Sequence, residues 1–473
     1  MKYKGAIDTM LKLKTYRNRT LAIVVSFGVL FLLSMCRKPE PFPASGYDER
    51  LSGGQNTVFD ATSHAFANAY PGLDAGESQL HDLGDSKFDA TFVTAPAPVN
   101  SGLGPLYNNV SCSGCHHNDG NGVPTAGDAH SSLLMRISMP GIDSHGGPVP
   151  VPGYGLQIED KATLGKLPEA KVDITYSYQT YSFPDGETYE LRRPTYSLSS
   201  LYAPLPGGYM LSARVPLPVF GLGLLESIPE SAILANSDPN DADGDGISGK
   251  PNYAWDPVSQ TTMLGRFGWK ASVPTIINQI AGAASADMGV TTRIQPVETS
   301  FGQPQYDGLN DENEMPDSIL TALDFYIHTL AVPARRDVTE AQVVQGKKIF
   351  TQAKCIRCHV ETMTTATDVA FPVISNQRIH PYTDLLLHNM GPDLADNRPD
   401  FEATGQEWRT PPLWGVGLYE RVSYPAHFLN DGRARTLIEA IMWHGGEAFQ
   451  AKDYVSHLGK ADRDALIAFL KSL

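Results

Sequence analysis

Cysteine is scarce in this chain: five residues in 473. That count excludes the dense disulfide framework that staples small secreted domains. Four of the five fall in two copies of one pentapeptide, Cys112-Ser113-Gly114-Cys115-His116 and Cys355-Ile356-Arg357-Cys358-His359; the fifth is Cys36. No thiol is left over for a structural disulfide or a separate catalytic dithiol. Basic charge is also in deficit, with 37 Lys and Arg against 52 Asp and Glu, a net charge of −15. Such a balance argues against nucleic-acid binding. The acidic field either favours a basic partner, such as a small basic electron carrier, or only keeps the protein soluble.

What is present is chemically specific. A bare Cys-x-x-Cys fits zinc, a redox disulfide or chance, but the trailing histidine singles out one chemistry. The two thiols bond to the vinyl groups of a haem, and the histidine reaches the iron as an axial ligand. A zinc site needs partners at other spacings. The motifs therefore predict two covalently bound c-type haems, with Cys112, Cys115 and His116 on one and Cys355, Cys358 and His359 on the other. The protein reads as a redox protein.

The amino terminus carries Lys2, Lys4, Lys12, Lys14, Arg17 and Arg19 with Asp8 as its only acid, followed by an apolar run over 21–35. This is a basic region and a hydrophobic region of secretory length, short for a membrane span. Cys36 at its end reads as a lipoprotein processing site; an uncleaved anchor or ordinary cleavage is the alternative. Each reading exports the chain to the periplasm or cell envelope, touching the membrane only through an N-terminal lipid or signal anchor. With residues 1–35 set aside, 31 basic and 51 acidic residues remain, a net charge of −20.

The predicted organisation is a signal segment over 1–36 and a Pro-rich linker over 37–47. A first cytochrome c-like haem domain follows over 48–333, and a second over 334–473. The segments 339–350 and 462–473 read as amphipathic helices that cross beside the second haem. An aromatic stands five residues before each motif, Tyr107 and Phe350. Between about 140 and 260 Pro and Gly are dense, and 171–181 and 188–191 carry the alternation of short strands. The fold class expected is mainly α, with this irregular, partly β insertion in the first domain.

A second internal repeat bears on function. Thr436-Leu437-Ile438-Glu439-Ala440-Ile441 echoes Thr275-Ile276-Ile277-Asn278-Gln279-Ile280, each after an aromatic and basic cluster. These segments predict two short helices covering the two distal haem faces. Eight residues past the threonine stands His444 in one copy and Ala283 in the other. Imidazole is a strong sixth ligand and a methyl group is none. The second iron would be closed by His359 and His444, with Met442, His427 and Tyr424 as fallback ligands. The first would hold an exchangeable position beyond His116.

These residues resemble a known family. Phe267-Gly268-Trp269-Lys270-Ala271 with Gln279 and Asp287-Met288-Gly289, and Arg409-Thr410-Pro411-Pro412-Leu413-Trp414 leading to Asp431-Gly432-Arg433-Ala434, are similar to the bacterial di-haem cytochrome c peroxidase and MauG-type superfamily. Arg192-Arg193-Pro194-Thr195-Tyr196, Gly221-Leu222-Gly223-Leu224-Leu225-Glu226 and Trp443-His444-Gly445-Gly446-Glu447-Ala448 resemble its di-haem oxidoreductase branch. The resemblance implies peroxide reduction at the amino-terminal haem, Trp269 between the haems and His444 as distal ligand of the second. It also implies a distal amide and acid at Gln279 and Asp287. The acid is Asp at a shorter spacing than in the peroxidases, so Glu226 and Glu447 are alternatives.

Asp241-Ala242-Asp243-Gly244-Asp245-Gly246 has carboxylates at positions 1, 3 and 5 of a loop and Gly at 6, which suits Ca²⁺ at Asp241, Asp243 and Asp245. Position 12 is Asn252, so a true EF-hand is not expected; a solvated acidic turn is the alternative. Three functions remain open on sequence. One is an exported peroxidase reducing hydrogen peroxide with electrons from a small cytochrome or copper protein. The second is a MauG-like oxidant of a partner protein. The third is a plain electron-transfer cytochrome, which requires both irons to be closed.

Overall fold

Proline and glycine, 35 and 43 residues, punctuate the chain and keep most elements short. A computed structural model describes residues 48–309 and 313–473; the expected signal segment, Cys36 and the expected linker lie outside them. Helix makes up 26% and strand 19%, in several small sheets. This corrects the mainly α expectation. The insertion forms far more strand than its sequence suggested, and the attachment motifs themselves adopt turns and single 3₁₀ turns such as Cys355–Arg357.

Six helices matter for the site. They are α1 (Ala75–Phe88), α2 (Ile276–Met288), α3 (Asp317–His328), α4 (Ala341–Gln352), α5 (Leu437–Trp443) and α6 (Lys460–Ser472). Asp74 starts α1 with a full capping box, accepting from Gly76 and Glu77 N–H while Glu77 accepts from its own N–H. Helices α1 and α3 cross where Gly84 meets Ala322, and α4 and α6 cross where Gly346 meets Ala465. A Cβ on either glycine would lie 2.2 Å and 1.9 Å from the opposing carbonyl oxygen. Four residues after each glycine an aromatic faces the motif histidine: Phe88 lies 6.0 Å from His116, and Phe350 lies 6.2 Å from His359. Tyr326 and Phe469 back them from the crossing helix. The structural counterpart of Phe350 is thus Phe88 and not Tyr107, because a 23-residue loop separates α1 from its motif.

Four strands build the insertion: β1 (Leu134–Ile142), β2 (Lys171–Ser182), β3 (Thr188–Ser199) and β4 (Met210–Arg214). Strand β1 pairs antiparallel with β4 and with the short strands Pro148–Val149 and Gln157–Ile158. Its inward residues Met135 and Ile137 pack with Tyr154, Ile158 and Ala213 in a separate small core. Strands β2 and β3 form a hairpin of twelve pairs, from Lys171↔Ser199 to Ser182↔Thr188. Its tip reaches the core around α4–α6, where Phe183 and Leu191 are buried. Arg463 of α6 lies 3.9 Å over the Phe183 ring and pairs with Asp185 at 2.7 Å and Glu187 at 2.6 Å. Residues Glu49–Leu473 pack as one unit, and Met363, Ile374 and Trp414 help fill the core around α1–α3. Among the described residues no helix is long and apolar enough to cross a membrane.

Candidate functional site

The repeat seen in sequence is a repeat of structure. Phe267 bridges to Val273 and Phe428 to Ala434; Thr275 and Thr436 then stand at the N-caps of α2 and α5. In α5 the Thr436 hydroxyl accepts from Glu439 N–H at 3.2 Å, a standard cap. In α2 the threonine side chain makes no cap, and Glu226 accepts from Ile276 N–H at 2.6 Å instead. Past the cap the copies diverge. Helix α2 runs on through Ala283 to Met288, whereas α5 stops at His444, before Gly445-Gly446.

Each helix lies along a cavity. A cavity of about 400 Å³ is lined by Cys112, Cys115, His116, Trp269, Gln279, Ala283 and Asp287. A second, of about 210 Å³, is lined by Cys355, Cys358, His359, Trp269, His427 and His444. Val215, Pro216, Leu217, Trp269 and Arg409 line both. Trp269 therefore stands in a shared wall, its indole N–H donating to Val215 O at 2.7 Å and its carbonyl accepting from Arg409 N–H at 2.8 Å.

Burial favours the neutral imidazole at His116, His359 and His444. Burial lowers His116 to about 4. His359 also falls to about 4, first through burial and then through His444. Nδ1 of His359 bonds to Tyr382 O at 3.1 Å, and Nδ1 of His444 to Ala440 O at 2.8 Å. A proton on each Nδ1 leaves Nε2 as the free lone pair. Among the fallback ligands, Tyr424 is 77% exposed and Met442 is buried away from the cavity lining. His427 lines the cavity. The thiols are unpaired, and burial pushes Cys112, Cys115 and Cys355 up to about 12.

The acid candidates separate. Asp287 is half-buried in the wall of the first cavity and accepts from Gln157 Nε2 at 2.8 Å; desolvation raises it, against Arg136 and Gln157. Glu226 does not line that cavity: it caps α2 and approaches His328 at 3.5 Å. Glu447 belongs to the second cavity, where it bonds His388 at 2.7 Å. In the acidic loop the carboxylates that cluster are Asp238, Asp241 and Asp243, within 4.8 Å of one another. Asp245 turns away to pair with Arg357, inside the second motif.

The family described as "Di-haem oxidoreductase, putative peroxidase" matches residues 47–473. The chain belongs to this family. A search of curated proteins finds no match. Two haems are thereby part of its chemistry, and the first cavity fits one on independent grounds. Arg214 Nη2, Arg398 Nε and Arg409 Nη1 are buried without a hydrogen bond among the described residues, and all three side chains line it together with Arg136. Arg214 and Arg398 share Asp400 at 2.9 and 3.4 Å, so one carboxylate serves two cations there. Buried guanidinium nitrogens without a hydrogen bond are costly, and the two carboxylates of a haem are natural partners for them. Sequence reading passed over Arg136, Arg214 and Arg398. They come from separate segments with no shared spacing, so no local pattern announced them.

Proposed function

We propose that this di-haem oxidoreductase is an exported peroxidase that reduces hydrogen peroxide at the haem carried by Cys112, Cys115 and His116. The observation that supports it most is the pairing of Ala283 on the first cavity with His444 on the second. Cys355, Cys358, His359 and His444 would hold the second haem, which would serve electron transfer, whereas Cys112, Cys115 and His116 would hold the first, with Ala283 offering no side-chain ligand opposite. Overall, hydrogen peroxide takes up two electrons and two protons and gives two waters. The haems supply the electron storage. The chain supplies orientation and proton handling: the Gln279 amide on α2 faces the first cavity, and the Asp287 carboxyl, disfavoured as an anion by burial, stands in the same wall as the candidate proton-transfer group. Trp269, in the wall common to both cavities, is suited to carry electrons across.

The donor in this reading is a small cytochrome or copper protein, and the basic leader with Cys36 exports and anchors the chain. Calcium at the acidic loop is part of the same reading, with Asp238 joining Asp241 and Asp243 in place of Asp245; the absence of any calcium-binding heat in titration calorimetry would remove it. A steady-state assay with hydrogen peroxide and a reduced donor tests the main reading. Sustained donor oxidation dependent on peroxide is expected, and a protein that holds both haems yet turns over no peroxide would overturn it.

A further inference from the structure

The turn that carries His444 is held by a carboxylate. Helix α5 ends at His444, and Gly445-Gly446 lead directly to Glu447. Glu447 Oε1 accepts from Ser248 Oγ at 2.7 Å and from Asn389 N–H at 3.0 Å. Its other oxygen accepts from Ser248 N–H at 3.1 Å and from His388 Nδ1 at 2.7 Å. Four bonds from two distant segments thus converge on one side chain, three residues from the candidate ligand.

The anchors are themselves fixed. His388 bonds through Nε2 to Asp384 at 2.8 Å, with the side chains 3% and 1% exposed. Burial works against a charge on His388, but the carboxylate of Asp384 outweighs it and holds the imidazole well above its ordinary value. With Glu447 on Nδ1 and Asp384 on Nε2, His388 stands between two carboxylates, and bonds to charged groups are the stronger kind. Ser248 closes the acidic loop, whose Asp243 reaches Arg357 at 3.2 Å. One loop therefore grips both the attachment motif and the turn bearing His444.

We propose that Glu447 is a positioning residue that, anchored by His388 and Ser248, keeps the His444 imidazole on the second haem iron. This rests on the reading of His444 as that iron's ligand. Burial would raise the Glu447 carboxyl, yet its bonds to His388, Asn389 and Ser248 bring it down to about 2. The carboxylate is thus the working form across the ordinary pH range.

The test uses the full di-haem protein and compares Glu447→Gln with His444→Ala by EPR and by cyanide binding to the oxidised state. Glutamine keeps the volume but cannot accept from all four donors. In Glu447→Gln the low-spin signal of the second haem is expected to shift partly to high-spin while the first haem's signal stays unchanged. Cyanide should reach the second iron about tenfold faster, the equivalent of one lost hydrogen bond to a charged group. Should that variant fail to load haem, Ser248→Ala removes one anchor and is expected to speed cyanide binding in the same direction. A lost low-spin signal in His444→Ala, with both other variants behaving as wild type, would refute the positioning role and leave the ligand intact. An unchanged low-spin signal in His444→Ala would instead refute the ligand reading itself.

Discussion

At the scale of single residues, the interior holds charges in unequal condition. Asp119 follows the first motif and accepts from the Tyr326 hydroxyl at 2.8 Å. Burial raises it to about 7, further helped by Asp85 and Asp89 against that hydrogen bond. The folded state therefore favours the protonated acid. Its stabilisation is full below the unfolded value near 3.8 and is lost as pH rises through about 7. Ionising it in place costs on the order of 4 kcal/mol. Thermal melts of Asp119→Asn should accordingly fall less between pH 5 and 8 than those of the wild type; equal slopes would contradict the account. Arg463 belongs to the same scale. Its side chain is 3% exposed while its partners Asp185 and Glu187 are 33% and 40% exposed. Solvent thins the ion pairs, so Arg463→Ala should cost about 2 kcal/mol in denaturant melts, much of it from the lost stacking on Phe183.

At the scale of elements, the telling comparison is α2 against α5. In both, the capping threonine stands eight residues after a phenylalanine that bridges to the residue two before the cap, but only α5 is broken by two glycines at the height where a ligand is needed. If helix register alone decides which iron is open, Ala283→His should close the first one. The expected result is loss of the high-spin ferric signal and loss of peroxide turnover, with the second haem unchanged; retained turnover would contradict it. How much of this was legible in the sequence follows from locality. The motif cysteines and histidines, the Thr275 and Thr436 repeat, α4 and α6 are local patterns, and the elements of that repeat and the two helices form within a few residues of the segments read. Phe88 as counterpart of Phe350 was hidden by a long loop. Strands β1 and β4 were hidden because their pairing is non-local. The position of Glu226 as a cap depended on an approach between segments 50 residues apart, which spacing cannot encode.

At the scale of the whole molecule, the two cavities are neighbours separated by one wall. Trp269 and Arg409 line both, and the buried Lys270 beside Trp269 fastens that wall. Its Nζ donates to Asp396 Oδ1, Arg398 O and Thr404 O, each at 2.8 Å. The hairpin β2–β3 ties the insertion to α6, so the strand-rich part of the chain braces the core around α4–α6 as well as the first cavity. The mainly α expectation failed because the insertion adds this sheet, whose hairpin joins the supports of the two helical cores. The acidic loop also reaches these supports, through Arg357 and Glu447.

The central claim is that the two irons differ in coordination. EPR of the fully oxidised di-haem protein measures this directly. The account predicts one high-spin ferric signal from the haem at His116 and one low-spin signal from the haem at His359 and His444. Two low-spin signals, with no high-spin component at any pH where the protein is folded, would contradict it.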